Sequence, residues 1–408
     1  MMVPISRATT TRMTKPRRAP EVFSMNTQRV RWAALGGLMG GLLVLGVEAQ
    51  ENIPRLAPTR PGAPALTPAA PESAKPKTET ASPTQVPRTT RFGATDWVEI
   101  GVVAKRLGLK VGWTLSSREA VLTDKDTRLE LASDRLEAGL NGQRIFLGQA
   151  PVSRSGNLYV SKIDFERCLV PLVRPALLGV PKPAPKTIVI DPGHGGPDTG
   201  KVNGALGLFE KTYTLDTSLR LKKILEARGW KVVLTRSDDR QLKPGKQDDL
   251  QRRAQIAADA DADVFVSIHF NSVAEQVEKV SGAEVYRFTP QHQPPVTRAL
   301  RRLDDEVLNP GNGNDVWNSL LAYSIQRRLL RDLKLDDRGF KHDRLAVLRL
   351  VSCPAVLIEG GFLSNTTEAR RIGNAAYRQQ LAEAIANGLS AYASQLQSLR
   401  SGVNTPAG

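Results

Sequence analysis

Between residues 186 and 398, short aliphatic runs alternate with longer stretches of helical period. The runs TIVID, WKVVLTR, DVFVSIHF, GAEVYRF and PAVLIEG are almost continuously apolar, the pattern of strands buried on both faces. Stretches over 210–228, 248–260, 317–333 and 375–396 place apolar residues at helical spacing between them. This alternation predicts a three-layer α/β/α sandwich with a mostly parallel sheet. A further stretch, VTRALRRLDDEVL, sets Val296, Leu300, Leu303 and Val307 at helical spacing and predicts a helix that packs one apolar face on a partner.

Residues 93–175 read differently. DWVEIGVVAKRLGLKVGW predicts a helix ending near Gly108 and then a strand, followed by short alternating runs with a hairpin turn at LNGQ. The stretch is a small α+β domain. A Pro-rich hinge at 176–185 separates it from the sandwich at 186–398, and residues 399–408 form a tail. Residues 50–92 are dominated by Pro, Ala, Thr and Ser; such a composition buries too little apolar surface to offset chain entropy and reads as a disordered, extended linker.

The first 49 residues read as a leader and signal peptide. Arg29 and Arg31 precede an uncharged apolar run from Trp32 to Val47, and Val47 and Ala49 occupy the positions a signal peptidase reads. An uncleaved anchor is the alternative reading, and a start at Met25 would give a conventional signal n-region. The expectation is export to the periplasm or extracellular cell wall, without stable membrane insertion after cleavage.

Charge narrows the partners. The 408 residues carry 57 Lys+Arg against 41 Asp+Glu, a formal +16, and removal of residues 1–49 would leave +11. A basic surface suits nucleic acid, anionic membrane or acidic envelope polymers. Aromatic content of 5%, without interleaved Arg/aromatic motifs, argues against nucleic acid, because single-strand binders need stacking platforms. Cys168 and Cys353 each lie in an apolar segment and read as buried free thiols.

Candidate chemistry lies at three strand exits. His194 follows TIVID within DPGHGGPDTG, His269 ends VFVSIHFN, and Glu359 ends PAVLIEGG; in a parallel sheet such ends converge on one edge. Glu210 opens the helix EKTYTLDTSLRLKKIL. His194, Glu210 and His269 make a three-ligand set suited to a catalytic Zn2+ with an open fourth position, and Glu359 is then the carboxylate available as general base. Alone, His269 would more often be a satisfied core histidine and Glu210 an acid favoured in a helix's first turn. Asp198 and Asn271 are candidate supports, since a ligating imidazole usually donates its other N–H to an oxygen. His342, in RGFKHDR, is a candidate substrate-binding residue, and His292 reads as a solvated loop residue.

Over residues 187–395 the chain resembles the zinc-dependent N-acetylmuramoyl-L-alanine amidases of bacterial cell walls (amidase type 3). The resemblance runs in order through IVIDPGHGGPDTG, FEKTYTLDTSLRLKKIL, VVLTRSDD, RRAQIAADADADVFVSIHFN, GAEVYRF, RGFKHDRLAVLR and CPAVLIEGGFLSN. It implies His194, Glu210 and His269 as zinc ligands and Glu359 as the catalytic glutamate. The implied reaction is hydrolysis of the amide between the lactyl group of N-acetylmuramic acid and L-alanine in peptidoglycan. An envelope activator protein is a candidate partner, and division members of the family carry a gating helix in a region comparable to 296–308. Phe270 and Lys201 depart from the pattern and are expected to reshape the substrate cleft. Residues 93–175 resemble the copper amine oxidase N-terminal-like domain, through the helix, VGW, NGQ turn and LYVSKIDF, without a His/Cys/Met cluster that would bind copper. Competing functions are a wall-binding protein that keeps the fold without catalysis, and a zinc peptidase acting on the stem peptide.

Overall fold

The computed structural model describes residues 88–114 and 118–402; the segments expected to be a leader and signal peptide, almost all of the expected linker and the end of the expected tail lie outside them. The described residues fall in one compact unit. Its N-terminal part contains β1 (Thr89–Phe92), β2 (Thr95–Glu99), α1 (Ile100–Leu107), β3 (Lys110–Trp113), β4 (Glu119–Thr123), β5 (Arg128–Ala132), β6 (Glu137–Leu140), β7 (Gln143–Phe146), β8 (Val152–Arg154) and β9 (Asn157–Ser161). Short helices α2 (Lys162–Asp164) and α3 (Val170–Val173) close it. Helix α1 ends at Gly108, whose left-handed conformation suits the C-cap, and β6 and β7 form the expected hairpin around Asn141 and Gly142.

The larger part follows with β10 (Thr187–Pro192), the small ladder β11 (Val202–Asn203) and β12 (Leu208–Phe209), α4 (Glu210–Ala227), β13 (Lys231–Leu234), α5 (Lys246–Asp259), β14 (Val264–Asn271) and β15 (Ala283–Phe288). It ends with α6 (Asp315–Leu333), β16 (Asp337–Asp343), α7 (Ala346–Leu350), β17 (Ala355–Phe362), α8 (Thr366–Gly373) and α9 (Ala375–Arg400). Strands β13, β10, β14 and β17 are parallel neighbours in that order. Successive side chains of a strand face opposite ways. Accordingly Ile188, Ile190, Val266, Ile268, Val356 and Ile358 pack with Leu221 of α4, Ile325 of α6 and Leu381 of α9, whereas Val189, Phe265 and Leu357 pack with Ala257 of α5 and Val347 of α7. These are the three layers. Cys168 and Cys353 are buried free thiols.

Three features go beyond or against the sequence reading. β15 runs antiparallel to β17, with Glu284 opposite Glu359, and parallel to β16. β16 then pairs with β7 through Phe340 and Ile145, so both parts of the chain share one eleven-stranded sheet, and a single apolar cluster extends from Val98 and Leu122 to Leu389. The helix expected around 296–308 does not form. Only a 3-10 turn, Leu303–Glu306, appears there, and Leu300 and Leu303 are 79% and 89% exposed. Arg298 clasps the buried Asp305 with both terminal nitrogens, at 2.7 and 2.8 Å, and the Asp305 carboxylate also accepts from the Arg302 backbone N–H. Those local bonds compete with the helical ladder and turn the apolar residues outward.

Candidate metal centre

His194 follows β10 in the left-handed conformation, φ +63°, and its ring lies against the His269 ring and the Glu210 carboxylate. Glycine is required beside it. A Cβ on Gly193 would collide with the His269 ring, and one on Gly200 would lie 2.6 Å from Glu210 Oε2 and 2.7 Å from His194 Cδ2. The two imidazoles stand 4.9 Å apart, centroid to centroid, with their planes at 78°. The turn itself is held from below: Arg253 of α5 donates to the Asp191 carboxylate at 2.7 Å and to the carbonyls of Pro192 and His194 at 2.9 and 2.8 Å. Arg236 adds bonds to the carbonyls of Pro192 and Gly193 at 3.0 and 2.8 Å.

Glu210 is the first residue of α4, where the helix dipole favours an anion, and is 2% exposed. Its Oε2 accepts from the Lys201 backbone N–H at 2.7 Å and its Oε1 from the Phe270 N–H at 3.1 Å. The same Oε1 lies 3.2 Å from His194 Nε2 and 2.9 Å from His269 Nδ1. Burial alone would raise the Glu210 carboxyl, but the two histidines outweigh it and hold it far below the usual carboxylate range. His194 Nδ1 meets Asp198 Oδ2 at 2.9 Å. Burial works against charging His194, yet Glu210 and Asp198 together raise its pKa.

Among the described residues, His194, Glu210 and His269 form a group whose ligand atoms all lie within 4.8 Å of one another. Two imidazole nitrogens and a carboxylate suit zinc, and the Asp198–His194 bond is the outer support that orients a ligating imidazole. Glu359, in the second half of β17, is the register partner of His269 on one side and of Glu284 on the other. Its buried Oε2 has no hydrogen-bond partner in the protein. Burial first, then the charges of Glu210 and Glu284, push its carboxyl well above the usual range, with Lys201 opposing.

The remaining sequence candidates are placed as follows. Asn271 donates to Glu284 Oε2 at 3.2 Å rather than to one of the three clustered side chains. His292 lies half-exposed on Glu306, at 2.6 Å. His342 is corrected as a substrate contact: it is 0% exposed, its Nδ1 is 3.3 Å from the Thr289 hydroxyl, and burial, with nearby Arg287, lowers its pKa to about 3. Phe270 is likewise fully buried, so its side chain packs in the core and only its backbone reaches Glu210. Lys201 remains exposed at the site's margin.

Sequence reasoning missed Glu284, Arg338 and Lys341. Glu284 is buried; Oε1 accepts from Arg338 Nε at 2.8 Å and Lys341 Nζ at 2.7 Å, and Oε2 from the Tyr286 hydroxyl at 2.6 Å. A carboxylate within GAEVYRF, a stretch read as a buried strand, was the available signal.

A strand-exit cluster of two histidines and a glutamate, with a second carboxylate beside it, defines an α/β protein with the outline of a metal-assisted hydrolase. A family model described as N-acetylmuramoyl-L-alanine amidase matches residues 188–391, and one described as copper amine oxidase N-terminal domain matches 87–166. The uncharacterized protein YqiI of Bacillus subtilis is 35% identical over 210 residues, 52% of this chain and 86% of that protein. The germination-specific N-acetylmuramoyl-L-alanine amidase of the same organism is 32% identical over 216 residues, 51% of this chain and 79% of that one. Among solved structures, amidase AmiC2 of Nostoc punctiforme is similar at 33% identity over 50% of this chain and 96% of that chain, with a TM-score of 0.41. The chain belongs to the N-acetylmuramoyl-L-alanine amidase family.

Proposed function

We propose that this amidase is zinc-dependent, that it acts outside the cytoplasm, and that it hydrolyses the amide joining the lactyl group of N-acetylmuramic acid to L-alanine in peptidoglycan. The observation that carries the reading is the convergence of His194, Glu210 and His269 beside the unpartnered Glu359 carboxylate oxygen. His194 through Nε2, His269 through Nδ1 and a Glu210 oxygen would hold the ion. Bound there, zinc supplies Lewis acidity that polarises a carbonyl and acidifies water.

The chain's own residues do the rest. Asp198 fixes the His194 ring, and the Lys201 and Phe270 N–H groups fix the Glu210 carboxylate. Glu359, kept basic by burial and neighbouring anions, takes a proton from the attacking water and delivers it to the leaving amine nitrogen. A C–O bond forms at the lactyl carbonyl carbon as the C–N bond breaks. The products are a lactyl carboxylate and a stem peptide with a free L-alanine amino terminus. The net positive charge of the chain favours approach to an anionic wall polymer.

Mass spectrometry of digested peptidoglycan tests this. Intact stem peptides bearing a free L-alanine amino terminus are the expected product. Trimmed peptides would instead mean a peptidase, and an unchanged polymer a binding protein.

A further inference from the structure

β7 is the strand by which the N-terminal part joins the catalytic sheet, and its last residue, Phe146, sits against β16. The seat is built for it. Gly339 of β16 adopts φ +96°, and a Cβ there would lie 2.5 Å from Phe146 Cε2, so the phenyl ring rests directly on glycine backbone. Two residues on, the Lys341 ammonium stands 5.3 Å from the Phe146 ring centroid and 5.9 Å from that of Tyr286. Between these two ring faces it bonds Glu284 Oε1. Within about 6 Å of a ring face a cation is attracted by the ring quadrupole. A second tie, from the Arg144 backbone N–H to Asp337 Oδ2 at 2.6 Å, fixes β7 against the start of β16.

We propose that the N-terminal module is a positioning element of the active site: Phe146 seats Lys341 on Glu284, and Glu284, so held, keeps its place across the sheet from Glu359. Glu284 accepts on both oxygens from three strands: Arg338 and Lys341 of β16, Tyr286 of β15 and Asn271 of β14. Asn271 lies two residues beyond His269, so the bonds on Glu284 reach from β15, past β17 and its Glu359, to the strand that carries His269. With Glu284 turned to those four donors, the Glu359 carboxylate keeps an oxygen without a protein partner. Phe146, Lys341 and Glu284 are therefore positioning residues. The proposal rests on Glu359 being the proton-transferring group.

The test uses the full-length, zinc-loaded protein acting on a soluble muropeptide. Phe146→Leu keeps apolar volume and removes the ring face; Lys341→Met keeps the stem and removes the charge. Each should lower kcat about 10-fold with KM within about twofold, the pattern of an interaction that matters in the transition state. Zinc content and Tm should stay near wild type, and Phe146→Tyr should restore kcat. The double variant should be no slower than the slower single one, because both act on one chain of contacts. Wild-type kcat in Phe146→Leu would overturn the proposal, as would a loss that follows Tm or zinc content and is not rescued by tyrosine. Glu359→Gln measured alongside separates the two claims: if it is fully active the proton-transfer reading falls, and the proposal with it. An inert Glu359→Gln beside a wild-type Phe146→Leu removes the proposal alone.

Discussion

Glu359 and His269 are register partners on adjacent parallel strands, β17 and β14, so the carboxylate assigned to proton transfer and an imidazole assigned to the metal leave the sheet at the same level. One further strand across, Glu284 stands opposite Glu359 in the antiparallel pair. Backbone hydrogen bonding, rather than flexible loop geometry, thus sets the spacing of half the site.

Asp198 bonds the His194 Nδ1 with one oxygen and the Gly200 N–H with the other, so under the proposed zinc assignment it orients a ligand without being one. Asp198→Asn should weaken zinc affinity by about 10–100-fold, the usual worth of such a support, while leaving the fold intact. Competition with a chelator of known affinity checks this; unchanged affinity would mean that the His194 turn suffices to orient the ring.

Arg253 holds the underside of the His194 turn with its charge paired to Asp191 and Asp249, each at 2.7 Å. Arg253→Met leaves Asp191 buried without its cation, a loss worth about 3–5 kcal/mol when a buried pair is broken. Urea unfolding should show it as a lower midpoint. A variant as stable as wild type would show that the Thr235 and Ser267 hydroxyls on Asp191, at 2.6 and 2.8 Å, are enough.

His342 gives a pH dependence of stability. Its folded pKa, about 3, lies below the ordinary value near 6.5. The unfolded chain therefore binds the proton first, so the contribution is complete above about pH 6.5 and is lost as pH falls towards the folded value. The slope is on the order of 1 kcal/mol per pH unit in that window. His342→Gln should flatten the decline of Tm between pH 6.5 and 4 relative to wild type; an equal slope in both proteins would place the sensitivity elsewhere.

Much of this was legible beforehand, and for reasons that can be named. TIVID, VFVSIHF and PAVLIEG are too apolar to be anything but central strands, so the polar residue at each exit stands out. The helices matched because their apolar period is unbroken by Pro. The stretch 296–308 carries the same period, but ion pairs between Arg298, Arg344, Asp304 and Asp305 close on one another across the loop, and a periodicity reading does not weigh long-range charge. His342 alternates with charged neighbours and looks exposed, yet β16 is covered on its other edge by β7, a pairing nearly two hundred residues apart in sequence. A different pairing hid Glu284, whose partners Arg338 and Lys341 reach it only once β16 lies beside β15.

The account stands most directly on Glu359→Gln, with zinc content and peptidoglycan hydrolysis measured on the same sample and His194→Ala beside it. The expected result is a Gln variant that folds, keeps its zinc and loses at least about 100-fold in rate, while the His194 variant loses zinc and activity together. A Gln variant that releases stem peptides at near wild-type rate, or one that loses its zinc, would contradict the assignment of Glu359 as the group that moves the proton.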